Sequence, residues 1–128
     1  MKEQYLKNAE TFVTQASETS ILYGLFDVNN GWANCHAHDN DDAQAVYLFW
    51  SEEKQAKKLQ NEEWADYQVT EIELDVFLDS WLDGMQNQHV FAGVNWDENL
   101  FGLEIEAAVL KNSLIEESTK ESKETASK

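Results

Sequence analysis

The sequence predicts an α+β domain, a mixed β-sheet of about five to six strands with helices packed on it. Three observations carry that prediction. Four stretches place apolar residues at helical spacing, and six short apolar stretches are bounded by turn residues. Five Trp, six Phe and four Tyr supply large apolar volume for a core. A chain of 128 residues has the length of one domain, and such a domain buries about two thirds of its unfolded surface.

Tyr5, Leu6, Ala9, Phe12, Val13 and Ala16 fall at i, i+1, i+4, i+7, i+8 and i+11, the apolar stripe of an amphipathic helix over roughly 3–17. Ile21–Asp27 is short and aromatic, a strand. Val28-Asn29-Asn30-Gly31 carries the Asn-Gly hairpin signal, and Trp32–Ala37 is the return strand. His38–Ala43 reads as a polar loop. Ala45–Trp50 is apolar on both faces, which suits a central strand. Ser51 is an N-cap candidate for a helix over Glu52–Asn61. Glu52 and Glu53 lie in its first turn, Lys57 and Lys58 towards its end, and Ala56 and Leu59 face inward.

Glu62–Tyr67 is an aromatic connection, and Gln68–Leu74 a strand. Asp75 caps the next helix, where Phe77, Leu78, Trp81, Leu82 and Met85 form a stripe and Gly84 marks the C-terminal end. Val90–Val94 is a buried strand, Asn95–Asn99 an acidic turn, and the chain returns as a strand ending at Ile105. Ala107–Glu116 is the last helix. The polar stretch from Glu117 cannot bury enough to offset chain entropy, so residues 1–116 form the domain and 117–128 a disordered tail. The order is α-β-β-β-α-β-α-β-β-α. Strands 45–50, 68–74 and 90–94 are joined through helices, which implies parallel pairs between them, while the first hairpin is antiparallel. The predicted core comprises Leu22, Tyr23, Phe26, Val46, Leu48, Ile72, Phe77, Trp81, Val90 and Val94.

Charge excludes partners more sharply than it selects them. All nine basic residues are Lys. Between Asn8 and Ile115 stand twenty acids and four Lys, so the whole net charge of −16 sits on the predicted domain. Such a field repels phosphate backbones, which argues against nucleic acid. Without Arg, bidentate clamping of phosphate or carboxylate substrates is unavailable. No apolar run reaches membrane-spanning length, the first residues lack a signal-peptide core, and the single Cys permits no internal disulfide. These features predict a cytoplasmic chain, away from membranes, as a monomer or weak dimer.

Several ordered motifs then converge. F-W-S at 49–51, E-W-A-D-Y at 63–67, I-x-L-x-x-F-L-x-x-W-L at 72–82 and G-V-N-W-D-E-N-L-x-G-L-E at 93–104 together resemble a family of small bacterial proteins known as domain of unknown function 2750. The likeness spans roughly 8–111. It implies a compact α+β domain and carries over no catalytic residue. The run C-H-x-H-D-x-D-D at 35–42 departs from the family pattern.

Candidate sites follow from residue chemistry. Trp96 lies among Asp97, Glu98, Asn95 and Asn99 on a turn held by a buried strand, and Trp64 lies close to Asp66. A ring beside acids suits a basic partner, so these seven residues are the candidate binding surface. The competing reading makes the turn architectural, with Trp96 as a lid on the core. Cys35, His36 and His38 are ligand types, but they share one strand and loop where a zinc site draws on separate segments. A solvated hairpin rim is the simpler reading. Neighbouring carboxylates diverge along the chain, and no nucleophile elbow, phosphate loop or dinucleotide fingerprint occurs. The sequence therefore predicts a non-enzymatic interaction or regulatory domain without a cofactor, binding a basic protein. The alternatives are a small-ligand domain with a pocket near Trp96 and, less favoured, an enzyme.

Overall fold

A computed structural model describes residues 2–35, 45–60, 64–97 and 102–126, with side chains from 3 to 119 within those spans. The first stripe forms α1 (Lys2–Thr19), which buries Ala9, Phe12 and Ala16. Ser20 takes a left-handed φ of 64° and turns the chain into β1 (Ile21–Asp27). The Asn-Gly hairpin forms as predicted. The Asp27 carboxylate accepts from the backbone N–H of Asn29 and Asn30, and Gly31 supplies the positive φ of 81°.

The return strand is bent. Its first half, β2 (Gly31–Trp32), pairs antiparallel with β1; its second half, β3 (Asn34–Cys35), pairs antiparallel with β4 (Ala45–Phe49). Ala33 sits at the bend, its N–H donating to the Leu25 carbonyl and its own carbonyl accepting from Leu48 N–H. Tyr23 and Trp50 exchange both backbone hydrogen bonds at 2.8 Å. From that antiparallel pair β1 and β4 splay apart, and the bent strand nests between them. Burial, then the negative charges of Glu71 and Glu53, hold the Tyr23 phenol above its ordinary pKa. Glu71 is its cross-strand partner.

After β4 comes α2 (Glu53–Lys58), where Gln55 Oε1 accepts from the Glu52 N–H; Ser51, the predicted cap, points elsewhere. β5 (Gln68–Glu73) then follows. Contrary to the crossover argument, β5 does not lie parallel to β4: it pairs antiparallel with β1 along six residues. A connection's length says nothing of which free edge the next strand takes. The next helix has three parts: α3 (Leu74–Val76), a π-helical turn (Phe77–Trp81) in which Leu82 N–H reaches the Phe77 carbonyl, and α4 (Leu82–Asn87). The wider turn lets Phe77 and Trp81 both meet Phe49, at ring separations of 4.8 and 5.6 Å. β6 (Val90–Val94) runs parallel to β4, and β7 (Glu104–Glu106) antiparallel to β6.

Two joined sheets result, of order β2-β1-β5 and β3-β4-β6-β7. With the bent strand and the three-part helix each counted once, the order of elements is the predicted one. α1, α3, α4 and α5 (Ala107–Ala126) cover one face, over Phe12, Phe49, Phe77 and Leu114. α2 and the segment around Trp64 cover the other, over Leu48, Trp50 and Trp96. Of the predicted core, Phe26 is exposed, and Tyr23 and Trp81 are half-buried at its edge.

α5 runs to Ala126, where the sequence reading ends the helix at Glu116 and leaves a disordered tail. The added turns hold no Gly or Pro, so helix propensity continues where the apolar stripe stops. Among the described residues no helix is long and apolar enough to cross a membrane.

No carboxylate among the described residues is buried, so the acids face solvent and one another. Raising salt from low to physiological strength is expected to screen this repulsion and stabilise the fold by on the order of 1 kcal/mol, or about 4 °C in melting temperature. Thermal melts across a salt series test this. A melting temperature that stays flat or falls would mean the acids already have compensating neighbours.

Candidate functional site

Asn95 leaves the buried strand β6 with a left-handed φ of 52° and is itself buried. Its amide closes a network between three elements. Oδ1 accepts from Ser51 N–H at 2.9 Å, and Nδ2 donates to the Asn8 carbonyl at 3.2 Å and to Ser51 Oγ at 3.0 Å. The Ser51 hydroxyl donates in turn to Gln15 Oε1. Among the described residues the Ser51 hydroxyl is bonded to the carboxamides of Gln15 and Asn95, and a carboxamide does not take a proton from a hydroxyl.

Trp96 is 3% exposed, which corrects the expectation of a ring offered to a partner. The indole lies against Gly93 and Gly102, where an added Cβ would come within 2.6 and 2.1 Å of ring atoms. Its Nε1–H donates to the Leu103 carbonyl at 2.8 Å, and its own carbonyl accepts from Trp50 Nε1 at 3.1 Å. Trp64 is buried against the same cluster, with Tyr67 beside it at 6.4 Å. Their indoles complete a core, because large rings at strand ends have more apolar area to bury than a turn can expose. Asp66 is exposed and Asp97 half-buried. Glu98 and Asn99 lie outside the described residues. The proposed surface is therefore not assembled by Asn95, Trp96 and Trp64. The glycines at 93 and 102, bracketing Trp96 in sequence, were the signal of close approach to a ring.

Cys35 is half-buried against the second cluster, and His36 and His38 lie outside the described residues. Among the described residues no group of three His, Cys, Asp or Glu is placed to hold a metal ion.

Two concavities are formed by described residues. A polar cleft of about 200 Å³ lies beside Trp96, between Asn8, Gln55, Lys58, Asn95 and Asp97. It is below the range of about 300–1,000 Å³ usual for small-molecule sites, and its buried amide, Asn95, already bonds within the protein. The larger concavity, about 480 Å³, runs between α1 and α5. Leu6, Val13 and Val109 form its apolar walls and Leu103 and Ile105 its floor; Glu10, Glu116 and Glu117 are its charged lining. Leu6 is 51% and Val109 52% exposed. The sequence places Leu6 on the single apolar stripe of an amphipathic helix, with Ala9, Phe12, Val13 and Ala16. Ala9, Phe12 and Ala16 are buried in the core and Val13 packs against it, while Leu6 stands on the groove wall. Neither stripe alone could have shown this, because the groove needs two helices nearly the whole chain apart.

A family model described as "Protein of unknown function (DUF2750)" matches residues 9–114. That span holds Glu10, Val109 and the groove floor and leaves Leu6, Glu116 and Glu117 outside. No curated protein and no solved structure matches the chain.

Proposed function

The chain belongs to the DUF2750 family, and from that premise we propose that it is a non-enzymatic interaction domain that binds a basic protein. One observation carries the reading: the charge excess of −16 lies on a body whose described carboxylates all reach solvent. Such a surface attracts cationic partners over a screening length of about 8–10 Å and repels phosphate backbones. The partner is met in a reducing cytoplasm, where the lone Cys stays a thiol. The buried polar side chains among the described residues, Ser17, Ser51 and Asn95, provide no general base, which favours binding over catalysis.

The test is affinity capture from the native lysate at low salt, with each retained protein identified and its binding repeated with purified components by calorimetry. A basic protein that binds at low salt and is lost at high salt is the expected result. If the purified partner is acidic or neutral, or if its affinity does not change with salt, charge is not the basis of recognition and the reading fails.

A further inference from the structure

We infer that the groove between α1 and α5 is the docking site for a basic amphipathic helix of the partner protein. The inference rests on the interaction-domain reading and names its surface and its ligand. The walls are single stripes. On α1, Leu6, Glu10, Val13 and Thr14 line the groove; on α5, Val109, Ser113, Glu116 and Glu117 do. Each stripe spans nine residues of helix, a rise of about 12 Å and a little over two turns. That length matches the anchors of one helix face at i, i+3 or i+4, and i+7, the usual pattern of a helix laid in a groove.

Charge selects the occupant. Among the described residues, every charged side chain lining the groove is an acid, Glu10 on one wall and Glu116 and Glu117 on the other. Lys111 does not neutralise them, because its Nζ is bonded to Asp83 Oδ1 at 2.8 Å. A helix whose apolar stripe enters the groove therefore meets carboxylates on both flanks, where Lys or Arg would stand. A second copy of this chain would bring another net charge of −16 to the same place, and a fatty acid would bring its own carboxylate to the rim. The last residues of the chain, E-S-K-E-T-A-S-K, hold one Ala and offer no anchor for the groove.

The probe is a synthetic leucine–lysine helix with leucines at i, i+3, i+4 and i+7, measured by fluorescence polarisation against the full chain. The control is a peptide of the same composition with the stripe scrambled. The stripe peptide is expected to bind at least about tenfold more tightly than the scrambled one. Val109→Glu and Leu6→Ser are each expected to weaken it by about tenfold without lowering the melting temperature, since both positions are half exposed. Ile115→Glu serves as the control on α5: it is 43% exposed but outside the groove, and it should leave binding unchanged. Glu10→Gln with Glu116→Gln should weaken binding and reduce its salt dependence. Equal affinity for the two peptides, no binding of either, or a Val109→Glu protein that melts normally and binds normally would each overturn the groove assignment. The interaction-domain reading is judged separately: a captured basic partner that binds Val109→Glu and Leu6→Ser as it binds the native chain leaves that reading standing and removes the groove.

Discussion

Replacing Trp96 with Ala is expected to destabilise the domain by about 3–5 kcal/mol, a large share of the 5–15 kcal/mol typical of a domain. The ring is buried between Gly93 and Gly102, in the same cluster of buried side chains as Leu48 and Trp50. Truncation leaves a void that its neighbours cannot fill, because the two residues pressed against the ring have no side chain to move inward. It also removes the donor to the Leu103 carbonyl, which positions the segment leading into β7. Trp96→Phe separates the two effects. It keeps most of the apolar contact and loses the N–H, so about 1–2 kcal/mol is expected. Asp97→Asn, one residue on and half exposed, is expected to change stability by less than about 0.5 kcal/mol. Denaturant unfolding with comparable m-values measures all three. If Trp96→Ala loses less than about 1 kcal/mol, the ring does not support the core and its burial has been misread.

What the sequence revealed, and what it concealed, follows from the range over which each feature is determined. β1, β4 and β6 are runs of apolar residues whose burial is a property of the run itself, so periodicity and length found them. The β1–β2 hairpin was legible because Asp27, Asn29, Asn30 and Gly31 encode the turn locally. Strand partners are not local. β5 lies along the free edge of β1, which leaves the place beside β4 to β6. The last turns of α5 were missed for the opposite reason: they are helical without an apolar stripe, and burial was the signal being read. Trp96 shows the limit most clearly. An indole among acids looks the same in sequence whether it faces a partner or the core. Its side was set by room made at Gly93 and Gly102, one before the turn and one after it.

Asn95→Ala is expected to cost about 2–4 kcal/mol, though it removes only a small polar group. Two causes combine. The φ of 52° is a conformation Asn tolerates and Ala resists, which contributes about 1 kcal/mol. The lost amide strands the buried Ser51 N–H, an orphaned group that costs about 1–3 kcal/mol unless water reaches it, whereas the Asn8 carbonyl keeps its place in the hydrogen bonding of α1. Asn95→Gly removes the backbone cost and keeps the orphaned Ser51 N–H, so it should be about 1 kcal/mol more stable than Asn95→Ala. Asn95→Asp keeps an acceptor for Ser51 N–H but sets a carboxylate oxygen against the Asn8 carbonyl in a buried place. Burial and that contact should raise the new carboxyl's pKa in the folded state above its unfolded value. Its contribution is then fully present below the unfolded value of about 4 and is lost as pH rises through the higher folded one. The Asp variant should therefore close part of its gap to the native chain as pH falls towards 4. Equal stabilities for the Ala and Gly variants would show that the backbone is not strained. Losses below about 1 kcal/mol in both would mean that the network joining α1, Ser51 and the end of β6 does not hold those elements together.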